Sequence, residues 1–185
     1  MNAAVMEPAT KSTIQSGRDR SESLGGKYLT FRLGKEQFGL EILKVREIMG
    51  WINITPVPKA PPSVRGVLNL RGKIIPVIDL RRKFAMQAVE NTDRTCIIVV
   101  DVHVKGQSAD VGILVDNVSE VLNFRSEDIG PPPALGCDLD TNFILGMTKT
   151  TDAVTILLEI ENVLSENEIN HSTVIDKEVD NLQLA

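Results

Sequence analysis

The sequence predicts an all-β fold made of two small five-stranded β-barrels that arise from an internal duplication, closed by a short C-terminal helix. Three observations predict it. Short β-branched runs alternate with turn residues along most of the 185 residues, which is the pattern of many short strands. Hydrophobic residues make up 42% of the chain but aromatic residues only 4%, so the core must be built from Val, Ile and Leu. The two halves of the chain also repeat one another, element for element.

Residues 1–26 are polar, show no sustained period and predict a disordered N-terminal extension. Order is expected over 27–169, with barrel 1 at about 27–86, barrel 2 at about 94–160, a helix at 161–169 and a flexible tail at 170–185. Residues 28–33 alternate, 34–37 make a turn, and 38–42 return as a second strand. A β-rich run over 44–54 leads into Pro56, Pro58, Pro61 and Pro62, which cannot continue a ladder. The chain is organised around 64–80, where apolar runs over 67–70 and 74–80 flank Arg71-Gly72-Lys73, and Gly72 supplies the positive φ of a tight hairpin. Both faces of the second run are apolar, so one face fills a core and the other meets something else. Pro76 places that run at an edge or a bulge. A short helical turn is expected over 81–86.

The second half opens with the longest β-branched run, 95–104, which turns at 105–109 and returns over 111–115. An extended stretch over 117–122, a loop over 126–140 containing Pro131-Pro132-Pro133, and a hairpin from 143–148 and 153–160 follow. Residues 39–48 align with 112–121 without a gap, pairing Gly39 with Gly112, Val45 with Val118 and Glu47 with Glu120. Residues 64–67 align with 144–147, and 74–80 with 154–160, an acid standing one place before the end of each. Each half of about 65 residues is marginal as a separate fold, so the two barrels should form one cooperative unit.

The net charge of −5 and a pI near 5.1, with so few aromatic residues, argue against a nucleic-acid surface. Two cysteines, Cys96 and Cys137, without framework spacing fit a reducing cytoplasm. No apolar stretch approaches the roughly 18 residues that cross a bilayer, so no direct membrane insertion is expected. His103 and His171 have no second His or Cys at ligand spacing, and no phosphate-binding or nucleophile-elbow motif is present. The acids Asp79, Asp116, Glu120 and Glu159 suit turns and strand ends better than acid–base work, and Arg81-Arg82-Lys83 reads as a solvated face. No enzymatic activity, metal or cofactor is expected.

Three stretches together carry a resemblance: 43–48, 69–80 and their echo 115–122. They resemble the CheW-like adaptor family of bacterial chemotaxis, over about 27–169. The resemblance implies two SH3-like barrels, in agreement with the duplication. It further implies a cytoplasmic scaffold, recruited to membrane receptor arrays, that joins the cytoplasmic tip of a methyl-accepting chemoreceptor to the regulatory domain of the histidine kinase CheA. The competing class is a small-ligand or RNA-binding double β-barrel.

The partner-binding positions so implied are Val45, Glu47 and Ile48 on the first motif, Gly66, Val67, Asn69, Leu70, Arg71, Gly72 and Ile75 on the hairpin, and Val118 and Glu120 on the echo. Glu47 beside Val45 is a charge next to an apolar residue, as an interface hot spot requires. Arg71 at a rigid tip offers a planar donor array. Two roles stay open for it: direct contact with the receptor, or an internal pair with Glu47.

Overall fold

Eleven strands and two short helices are placed by the computed structural model, which describes residues 24–104, 106–132, 141–150, 153–165 and 168–169. The extension before residue 24, the tail from 170, Cys137, His171 and most of the 126–140 loop lie outside the described residues. In chain order the elements are β1 (Gly26–Leu33), β2 (Glu36–Glu41), β3 (Val45–Gly50), β4 (Val64–Leu70), β5 (Lys73–Asp79), α1 (Leu80–Lys83), β6 (Cys96–Val104), β7 (Gln107–Val115), β8 (Asn117–Phe124), β9 (Ile129–Gly130), β10 (Ile144–Lys149), β11 (Val154–Leu158) and α2 (Ile160–Val163). Single 3-10 turns at Ile42–Lys44 and Ser126–Asp128 introduce β3 and β9.

Several boundaries differ from expectation for local reasons. Gly34, at φ +62°, turns the chain so sharply that β2 resumes at Glu36. The 44–54 run ends as a strand at Gly50, because the chain then leaves to bridge β4 at Thr55. The 161–169 helix is not continuous. Leu164 is extended, and Ser165 starts a new turn in which its N–H and hydroxyl both donate to Glu168 at 2.7 Å, the glutamate half of a capping box.

The two sheets do not follow the two halves. Barrel I has the strand order β8-β1-β2-β11-β10-β9 and barrel II the order β3-β6-β7-β5-β4. The division into 27–86 and 94–160 is therefore corrected: each half gives its first hairpin to the remaining strands of the other half, β1–β2 to β8–β11 and β6–β7 to β3–β5. The exchange is reciprocal. Parallel β11 sets Leu157 opposite Gly39, and parallel β5 sets Val77 opposite Gly112, the duplicated pairs crossed over. The glycines allow this approach, since a Cβ at Gly39 would lie 2.8 Å from Leu157 Cδ2.

Burial follows the same plan. A shared core runs between the barrels and includes Phe31, Leu40, Ile78, Val100, Ile113 and Leu158. Each barrel also has its own interior, Leu68, Ile75, Val77, Ile97, Val99 and Leu114 in barrel II and Tyr28, Phe124, Ile129 and Leu157 in barrel I. This explains why the 74–80 run is apolar on both faces: the second face meets the shared core. β5 is an inner strand, not an edge. Pro76 is tolerated there because Val67 opposite it directs both its N–H and its carbonyl to Thr55, at 2.9 Å each, and asks no ladder bond of the proline. The Thr55–Val67 bridge brings the chain after β3 back onto β4, as β9 does on β10 through Gly130 and Met147.

Candidate interaction site

The β4–β5 hairpin turns through two residues, with Leu70 paired to Lys73 across it. Arg71 has φ +53° and Gly72 φ +88°, so both occupy the left-handed region, as the tight turns matched to strand twist demand. The expectation gave that conformation to Gly72 alone. A carboxamide takes over part of the cost at Arg71, since Asn69 Oδ1 accepts the Gly72 N–H at 2.8 Å. Asn69 thus shapes the tip.

From that tip Arg71 Nη2 lies 3.0 Å from Glu47 Oε2 on β3, with 79% of the arginine side chain and 31% of the glutamate side chain exposed. The internal pair and an open guanidinium therefore coexist. Around them Lys73 lies 3.8 Å from Asp110, and Arg46 pairs with Asp101. Asp101 is held below the ordinary carboxylate range by the hydroxyl of Ser108 and by Arg46, against an opposing push from burial. Each of these charges has an opposite partner, and the three cations keep more than half of their side-chain surface in solvent.

The remaining expected positions divide clearly. Ile48 is exposed on β3, while Val67 and Leu70 are half-buried, Leu70 against the barrel II interior. Ile75 is only 3% exposed inside barrel II, so a direct partner contact by Ile75 is corrected to a core role. Gly66 is buried too, at φ +144°, where a Cβ would stand 2.1 Å from the Thr55 carbonyl oxygen. Its role is to admit the closing bridge. Val45 and Val118 are half-buried and pack on the shared core. Glu120 is exposed but belongs to β8 of barrel I, where Thr30 Oγ1 donates to its carbonyl at 2.7 Å. The structure brings Glu47, Asn69, Arg71 and Gly72 together, and leaves Val118 and Glu120 on the other barrel.

A further exposed residue lies outside the expected contact positions, although it opens the 43–48 motif. Leu43, in the turn before β3, is 93% exposed. The duplication sets Leu43 against Asp116, whose carboxylate is bound by Arg81, so an apolar side chain stands exposed where the other half carries a partnered charge.

Residues 27–168 match the family model described as CheW-like domain. The chain belongs to the CheW-like domain family. This CheW-like chain is 42% identical over 148 residues to "Chemotaxis protein CheW" of Klebsiella aerogenes, covering 80% of this chain and 87% of that protein. It is 38% identical over 144 residues to the protein of the same name from Rhizobium meliloti, covering 78% and 90%. The crystal structure of scaffolding protein TtCheW from Thermoanaerobacter tengcongensis is similar at a TM-score of 0.68 and 35% identity, covering 78% of this chain and 96% of that one. The two barrels are thus of the SH3-like kind found in CheW proteins, and the chain is of the chemotaxis adaptor type.

Proposed function

We propose that this CheW-like domain is a non-enzymatic scaffold that couples the cytoplasmic tip of a transmembrane chemoreceptor to the regulatory domain of the histidine kinase CheA. The match of 27–168 to the family model carries the reading, supported by the likeness to a structure described as a scaffolding protein. The small-ligand or RNA-binding alternative gains nothing from these likenesses. Among the described residues no helix is long and apolar enough to cross a membrane, so a receptor partner would supply the recruitment to membrane arrays.

The contact face we assign is the mouth of barrel II. Arg71 projects from a turn fixed by Gly72 and Asn69, so it loses little freedom on docking. Glu47 holds the guanidinium from one side and leaves its other donors for a carboxylate or a helix-terminal carbonyl of the partner. Exposed Leu43 and Ile48 supply apolar surface nearby in the chain. The test is capture of each partner by a Glu47→Lys variant. Capture of receptor fragment or kinase domain should fall at an unchanged melting temperature; undiminished capture of both would refute the assigned face.

A further inference from the structure

The two halves are alike enough that each hairpin could in principle close on its own half, yet each is found in the other's barrel. Two ion pairs stand at the places where the chain crosses between barrels. At the β7–β8 crossover, Arg81 Nε donates to Asp116 Oδ1 at 2.6 Å and Nη2 donates to Oδ2, with the side chains 13% and 27% exposed. Asp116 also accepts the Gly34 N–H at 2.6 Å, from the β1–β2 turn of the other half. Near the β2–β3 crossover, Lys44 Nζ donates to Glu161 Oε1 on α2 at 2.7 Å, and the His103 N–H reaches the same oxygen at 3.3 Å.

The duplication makes these two clasps equivalent and their polarity opposite. Residues 74–80 align with 154–160, so Arg81 corresponds to Glu161. Residues 39–48 align with 112–121, so Asp116 corresponds to Leu43, and Lys44 is the next residue. One helix presents a cation to an anionic crossover, and the other presents an anion to a cationic one.

We propose that this polarity reversal selects the exchanged topology over the self-paired one. Were each half to close on itself, β5 would lie beside β2 and β11 beside β7. Arg81 would then face Lys44 and Glu161 would face Asp116, like charges at both crossovers. Strand pattern cannot make this choice alone, because Gly39 and Gly112 admit either Val77 or Leu157 by the same geometry. Charge at two half-buried positions can, and a polar contact that fixes register is the best attested use of such a pair. Asp116 is held below the usual carboxylate range despite the push of burial, and Glu161 likewise by Lys44, so both clasps are charged at neutral pH.

The test is a double reversal, Arg81→Glu with Glu161→Arg, in the full chain with Cys96→Ala and Cys137→Ser. Gln37→Cys with Thr155→Cys, opposite one another in the exchanged sheet, reports that topology by disulfide formation on refolding. Gln37→Cys with Ile75→Cys reports the self-paired one. The ratio of the two cross-links in the monomer should fall by about tenfold in the reversed chain, given two partly exposed pairs each changed from attraction to repulsion. Adding Lys44→Glu and Asp116→Lys should bring the ratio back toward the unreversed value, which also covers the case in which the double variant fails to fold. An unchanged ratio in the double variant, or a quadruple variant no better than the double, would overturn the proposal.

Discussion

Arg71 Nη2 stands 3.0 Å from Glu47 Oε2, a bond that joins the tip of the β4–β5 hairpin to β3 at the mouth of barrel II. Of the two roles open for Arg71, the structure therefore contains the internal pair, while leaving 79% of the arginine side chain exposed. A pair this exposed adds at most about 1 kcal/mol to stability. Arg71→Ala should shift the melting temperature little and reduce receptor affinity by about 1 to 3 kcal/mol, roughly tenfold to a hundredfold. Arg71→Lys should recover part of the loss, because it restores charge without the planar fork. A thermal melt beside a titration separates the two effects: a large fall in melting temperature would return Arg71 to a purely structural role.

Gly66→Ala is predicted to be severe. The new Cβ would lie 2.1 Å from the Thr55 carbonyl oxygen, at a φ of +144° that side chains rarely adopt. A cost of about 2 to 4 kcal/mol follows from strain and loss of the closing bridge. Denaturant unfolding measures it, and a loss below about 1 kcal/mol would show that the bridge is dispensable.

How much of this was legible in the sequence depends on what each signal encodes. Strand alternation and the glycines placed nearly every strand, and the match of 39–48 to 112–121 revealed the duplication. Which half completes which barrel was not legible, because Val77 and Leu157 fit Gly112 and Gly39 through the same kind of contact. The apolar second face of 74–80 was read correctly as facing something, but a shared core and a partner surface present the same side chains. Ile75, expected in the contact set, lies on the opposite face of that run from Ile78 and fills the barrel II interior. Arg71, Asn69 and Gly72 were legible because turn chemistry is local. Leu43 was missed since a leucine beside a strand looks like core until the chain is folded.

Cutting the chain between the halves should not yield two domains. Each barrel takes its first hairpin from the opposite half, so fragments ending and starting near residue 90 should be unfolded alone and assemble when mixed. Size-exclusion chromatography and circular dichroism of the fragments, separate and combined, provide the check. Two independently folded fragments would be incompatible with the exchange.

Glu168 predicts an acid-sensitive contribution to stability. The carboxylate is 4% exposed and lies 2.7 Å from Lys83 Nζ. Burial raises its pKa, but Lys83, Ser63 and Ser165 outweigh that and hold it below its ordinary value of 4.5. A depressed folded-state pKa gives stability that is fully present above the unfolded value and is lost as pH falls through the folded one. Glu168→Gln should therefore lower the melting temperature near neutral pH, by an amount matching about 1 to 3 kcal/mol. The gap from the parent should close as pH drops below 4.5. A gap that stays constant through that range would mean the charge of Glu168 is not what stabilises.

The adaptor reading rests most directly on whether one chain holds both partners. Isothermal titration of the purified protein with a chemoreceptor-tip fragment, and separately with the CheA regulatory domain, measures this without assuming the contact face. Saturable binding of each is expected, with Arg71→Ala weakening the receptor titration while its melting temperature stays close to that of the parent. Absence of binding by the unmodified protein to both fragments would contradict the adaptor assignment itself.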